Sequence, residues 1–149
     1  MDSQLFNSTV YDEIAFGPRQ LGLTEEVSQR VQDTLSLLKI EDLRDRVPYQ
    51  LSGGEKKKVA FASIMVTNPD VYILDEPFNN LSKEYEEFFR ELLHELHSAG
   101  KTIIMSAHHF KHLHHEKADV LLFEDGKADF FPAQEVLSNQ QVIERLSHY

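Results

Sequence analysis

Two short apolar runs constrain this chain more than any other feature. "VYILDEP" at 71–77 and "TIIMSAH" at 102–108 are too brief for helices and rich in β-branched residues. Between them, residues 83–98 form a charged amphipathic segment at helical spacing that stops at Gly100. Strand, helix, strand in that order predicts an α/β fold with parallel strands and right-handed crossovers, and each run reads as a buried strand. "ADVLLFEDG" at 118–126 reads as a third strand closed by an Asp-Gly turn, and "KADFFPA" as a short edge strand. Helices over about 133–138 and 139–147 finish the chain.

Upstream of the first strand the pattern is helical. Thr24 and the two glutamates after it suit a helix start, and Val27, Val31, Leu35 and Leu38 recur at helical spacing toward an end near Lys39. "GPRQLGL" at 17–23 carries Gly and Pro punctuation and reads as a loop, and residues 40–50, with Pro48, as a connector. Ser52 and Glu55 have the spacing of a capping box, which predicts a second helix start there and an end before Pro69.

Composition removes several classes of function. The net charge is −10, the opposite of what a duplex-DNA binder carries, so nucleic acid is not expected as a ligand. The chain has no cysteine, hence no disulfide and no thiolate metal site. "MDSQLFNSTVYDEIAF" places acids where a secretion signal needs basic residues and an apolar run. No segment approaches the ~20 apolar residues that cross a bilayer. The expectation is a soluble chain whose membrane role, if it has one, runs through a partner.

Three motifs stand in a fixed order: "LSGGE" at 51–55, "VYILDEP" at 71–77 and "SAH" at 106–108. Taken singly each has a plain reading. Paired glycines turn a chain, an Asp-Glu pair at a strand end is solvated surface, and one histidine after a strand is unremarkable. Their order and structural context carry the functional reading.

On these residues the chain resembles the ABC ATPases along nearly its whole length. "LSGGE" resembles the ABC signature motif, "VYILDEP" the Walker B strand with its catalytic glutamate, and "SAH" the switch-histidine segment. "DSQLFNSTVYDEIAFGPRQLGL" is similar to the segment after the Q-loop in ATPases of the energy-coupling-factor and cobalt or nickel uptake branch. The resemblance implies the C-terminal part of a P-loop NTPase core. Residues 1–68 would be the helical signature subdomain, and 69–149 the end of the RecA-like core with its tail. It implies ATP and Mg²⁺ as ligands, a homo- or heterodimeric ATPase partner, transmembrane transporter subunits, and a peripheral place on the cytoplasmic face of the membrane.

The resemblance also assigns roles. Ser52, Gly53, Gly54 and Glu55 would serve the ATP held by the partner subunit. Glycines without Cβ let backbone N–H groups at a helix start approach a phosphate, and Ser52 adds a hydroxyl. Asp75, at a strand's carboxyl end, would hold Mg²⁺ through water. Glu76 would orient and polarise the attacking water, and His108 would contact the γ-phosphate.

Other features depart from the pattern. No Gly-x-x-x-x-Gly-Lys-Ser/Thr loop occurs in the 149 residues. Gly17 and Gly22 have the first spacing, but Leu23 stands for the lysine and Pro18 removes a backbone donor, so the match is a decoy. In the family the loop and the Q-loop glutamine lie upstream of this segment; Gln4 aligns with a later glutamine. The D-loop aspartate is replaced by Ser82 in "NNLS". An incomplete sheet is expected to expose apolar faces and strand edges. His108, His109, His112, His114 and His115 crowd one stretch, read as a polar face after the switch histidine rather than a metal site, and Lys56–Lys58 read as a solvated helix face. The leading expectation is an ATP-binding subunit of an importer, inactive alone. The alternatives are a non-catalytic partner lending "LSGGE" in trans, and a soluble ABC ATPase unconnected with transport.

Overall fold

Thr9 and Asp12 start the first helix reciprocally. The Thr9 hydroxyl accepts the Asp12 N–H at 3.2 Å, and the Asp12 carboxylate accepts the Thr9 N–H at 3.1 Å, a capping box that opens α1 (Val10–Gln20). The computed structural model describes residues 8–112 and 116–149. After α1 come α2 (Val27–Leu37), α3 (Gly53–Met65), β1 (Val71–Leu74), α4 (Lys83–Ser98), β2 (Thr102–Met105), β3 (Val120–Glu124), β4 (Lys127–Phe131), α5 (Ala133–Ser138) and α6 (Gln140–Leu146). They form two compact units. The first takes the described residues up to Tyr72 together with Asn80–Ile103, and the second takes Ile73–Asn79 with the described residues from Ile104 onward.

In the first unit, α1 overturns the loop expected at 17–23 by running through Gly17 and Pro18. Pro18 costs only the bond to the Ile14 carbonyl, and its ring is buried. Gly17 permits close approach to the turn after α3, since a β-carbon there would lie 3.2 Å from Thr67 Cγ2. The true stop is Gly22, at φ +75°: the Gly22 N–H reaches the Arg19 carbonyl and the Leu23 N–H the Pro18 carbonyl, a Schellman ending. The Gly17–Gly22 pair therefore sits within and just after a helix, not in a loop before one. Helix α2 ends the same way with Lys39 at φ +57°, but it starts from Glu26, which makes no side-chain cap bond, rather than from Thr24.

Val10, Ile14, Ala15, Val31, Leu35 and Leu38 are fully buried, each large member contributing about 1.5–3 kcal/mol by leaving water. Phe61 of α3 stacks on Tyr72 and meets Phe89 of α4 edge-on, both at 5.8 Å between centroids.

The strands β1 and β2 pair. The Thr102 N–H bonds to the Asp70 carbonyl and the Ser106 N–H to the Leu74 carbonyl, so both partners advance together and the strands are parallel. They are not buried on both faces as the sequence suggested. Tyr72 and Leu74 are buried, whereas Val71, Ile73 and Ile104 are 47%, 76% and 53% exposed. One face of this ribbon is uncovered in the described chain, as the expectation of exposed apolar faces had it.

In the second unit, the third strand joins no parallel sheet among the described residues. β3 pairs antiparallel with β4, Val120 opposite Phe131 through Glu124 opposite Lys127. Asp125 and Gly126, at φ +49° and +73°, form the two-residue turn, whose twist matches the strands it joins. Phe110, Val120, Val136, Val142 and Leu146 make the core under this hairpin. Arg145 bridges Glu124 at 3.0 Å and Asp129 at 2.6 Å, and the Tyr149 hydroxyl donates to Glu124. Tyr149 and Arg145 together hold the Glu124 carboxyl below its usual range.

Candidate functional site

The residues singled out in the sequence form two groups, one in each unit. In the first unit, α3 begins at Gly53 because Ser52 and Glu55 close a capping box. The Glu55 N–H donates to Ser52 Oγ at 3.2 Å, and the Ser52 N–H to Glu55 Oε2 at 2.8 Å. Ser52 and Gly53 are exposed at this helix start, while Gly54 and Glu55 are half-buried. The aligned peptide dipoles and the free N–H groups of the first turn make such an end favourable to an anion.

In the second unit, the chain leaves β1 at Leu74 and turns at Asp75 and Glu76. The Ser106 hydroxyl holds both. It donates to Asp75 Oδ1 at 2.5 Å and accepts the Glu76 N–H at 3.0 Å. Glu76 has φ +47°, a left-handed backbone that a non-glycine residue adopts at a cost of about 1–3 kcal/mol and that clusters at working sites. Its side chain is 16% exposed, and His108 Nε2 lies 3.1 Å from Glu76 Oε1 with its own ring 83% exposed. The carboxylate is thus sheltered and the imidazole presented outward.

Asp75, Glu76 and His108 are brought together as one cluster. Ser106 was not singled out in the sequence; its signal was its place directly after β2, where the register sets it beside the end of β1. The donor set fits Mg²⁺. Asp75 offers an exposed carboxylate oxygen at a strand's carboxyl end, and a hard cation prefers oxygen and keeps its waters. Among the described residues, no group of three or more His, Asp or Glu side chains could cage a metal.

His112 is buried and stacks on Phe78 at 5.9 Å. His114, His115 and Gln4 lie outside the described residues.

One expectation is corrected near the signature helix. Lys56 is exposed, but Lys58 is no part of a solvated face. Its Nζ sits 4.0 Å from the Phe88 centroid and 5.3 Å from that of Tyr85, and donates to the Leu38 carbonyl at 3.1 Å. Its aliphatic stem buries apolar area while the rings and the carbonyl receive the charge, and desolvation pulls its pKa down. Ser82, read as a lost D-loop aspartate, has a structural task as N-cap of α4, its hydroxyl accepting the Tyr85 N–H at 3.4 Å.

Residues 1–79 match the ABC transporter family. The chain belongs to that family. Among its ABC relatives is the nickel import ATP-binding protein LarO of Lactiplantibacillus plantarum, 54% identical over 74% of this chain and 46% of that protein. Another is the energy-coupling factor transporter ATP-binding protein EcfA of Carboxydothermus hydrogenoformans, 35% identical over 97% of this chain and 54% of the relative. CbiO1 from Clostridium perfringens, part of the CbiONQ transporter complex, shares the fold with a TM-score of 0.76 at 32% identity, over 97% of this chain and 59% of its own. The chain thus spans about half the length of the curated ABC proteins it matches. The likeness supports the α/β P-loop NTPase fold class. No helix of the described residues is long and apolar enough to cross a membrane.

Proposed function

We propose that this chain is part of an ATP-binding subunit of an ABC importer of the energy-coupling-factor, cobalt or nickel type, working as a dimer against membrane subunits at the cytoplasmic face. The observation that carries the reading is the Asp75–Glu76–Ser106–His108 cluster at the carboxyl end of β1, in a chain whose relatives are named for such import. Ser106 fixes both carboxylates. Asp75 presents an oxygen for Mg²⁺, which when bound neutralises charge on the transferred phosphate. Glu76, sheltered and steadied by His108, accepts a proton from a water aimed at the γ-phosphate. His108, exposed beyond Glu76, offers a donor toward the phosphate. Ser52, Gly53, Gly54 and Glu55 present the start of α3 to a nucleotide held by the partner subunit.

A second reading is favoured by one contrast. "LSGGE" forms its helix start from its own residues, while the 149 residues contain no Gly-x-x-x-x-Gly-Lys-Ser/Thr. Such a chain would donate the motif to a complete subunit without holding ATP itself. Calorimetric titration with ATP and Mg²⁺ tests this. The chain alone is expected to show no affinity near about 1 μM, because the cradle and lysine that bind the β- and γ-phosphates are not in it. Tight binding by the monomer would overturn that expectation. Mixing the chain with a complete homologous subunit whose own signature serine is disabled should restore ATP hydrolysis, and Ser52→Arg should abolish it. No recovery despite complex formation would remove the donating role.

A further inference from the structure

The second glycine of "LSGGE" meets a side chain of its own unit. A β-carbon built on Gly54 would lie 2.7 Å from Tyr85 Cζ and 2.8 Å from both Cε atoms, closer than such contacts occur, whereas one built on Gly53 would meet nothing within 4 Å. The two glycines therefore answer to different demands. One turn on from Gly54, Lys58 places its ammonium 5.3 Å from the same Tyr85 ring and 4.0 Å from Phe88, and is anchored to the Leu38 carbonyl. Tyr85 stands in the first turn of α4, whose start Ser82 fixes.

We propose that Tyr85 is a positioning residue for the signature motif: its ring, laid flat against Gly54 and held by Lys58, sets where the first turn of α3 presents Ser52 and the N–H groups beside it. This rests on the reading that those groups meet the partner's nucleotide. A glycine is needed at 54 so that the ring can seat, independently of any phosphate. Tyr85 itself touches no substrate. An aromatic ring is required there and its hydroxyl is not, because the contact with Gly54 and the attraction for Lys58 both belong to the ring face.

Two measurements test this, and they fail separately. In the chain alone, urea unfolding of Gly54→Ala, Tyr85→Ala and the double variant reads the contact. Gly54→Ala should lower the unfolding midpoint when Tyr85 is present. In the Tyr85→Ala background it should leave the midpoint unchanged or raise it, since alanine favours a helix over glycine. An equal drop in both backgrounds would overturn the steric claim. In the mixed complex with the serine-disabled subunit, Tyr85→Ala should lower kcat about tenfold, as small misplacements of reacting groups do, with the KM for ATP little changed and Tyr85→Phe restoring the rate. Wild-type turnover in Tyr85→Ala, while Ser52→Arg abolishes it, would overturn the positioning role and leave donation standing. Wild-type turnover in Ser52→Arg would overturn donation and this role with it, with the unfolding result untouched.

Discussion

Ser52 and Glu55 satisfy each other across three residues, whereas Asp75 is held by Ser106, 31 residues further along the chain. The start of α3 is thus specified locally, and the end of β1 by the register of two parallel strands. A local motif forms wherever its few residues find helical neighbours. A non-local one exists only when the strands have paired, and it carries strain, as the left-handed Glu76 does. The start of α3 is therefore expected to be the sturdier of the two, and the carboxylate group the one that reports on the sheet.

The largest expected effect falls on the non-local side. In a fusion that supplies a complete phosphate-loop half from a relative, Glu76→Gln should cut ATP turnover by about 10²-fold or more while nucleotide binding persists, because the amide keeps the shape and cannot accept the proton. Steady-state hydrolysis beside nucleotide binding checks it, and undiminished turnover would strip Glu76 of its role.

Ser106→Ala comes next. It removes the acceptor of the Glu76 N–H and the donor to Asp75 together, and should cost about 1–2 kcal/mol in urea unfolding. Hydrogen exchange should quicken around residues 75–79 and stay unchanged at the start of α3. Equal quickening at both places would erase the distinction between the two groups.

Ser52→Ala should cost about 1 kcal/mol, confined to the first turn of α3, with exchange at Asp75 and Glu76 as in the parent chain. A loss of protection spread to β1 would show that the signature turn is less local than its bonds suggest.

The smallest effect concerns pH. The Thr9 backbone N–H, and then its hydroxyl, hold the Asp12 carboxyl below its usual value. Its contribution is therefore complete above the ordinary aspartate range and fades as pH falls from about 4 through the lowered value. Asp12→Asn should flatten that part of the acid limb of a stability–pH curve by a modest amount, since the half-exposed side chain is partly screened by solvent. A limb identical in slope would exclude Asp12 as a contributor.

Much of this was legible in the sequence because it is local. The capping box at Ser52 and Glu55, α4 with its stop at Gly100, and the turn at Asp125 and Gly126 each announce themselves within a few residues. The failures share a cause in tertiary context. Pro18 reads as a breaker, yet the helix continues through it because the ring is buried. The strands read as buried from their composition, yet alternate because only one face is covered. Lys58 reads as solvated, yet packs on two rings from α4. Of the site, Asp75, Glu76 and His108 were visible as residues, but Ser106 was not, because a serine after a strand carries no signal until the register is known.

The seating of Tyr85 on Gly54 also has a consequence for how such sequences can drift. For the stability of the fold, a larger residue at 54 would be harmful beside Tyr85 and tolerated beside a smaller side chain, so a change at 54 should come only with a change at 85. Among relatives, a chain with a small side chain at the position of Tyr85 is the one in which alanine or serine could stand at the second glycine. Wherever that glycine is kept, its persistence would then record a neighbour's bulk as much as a ligand's approach.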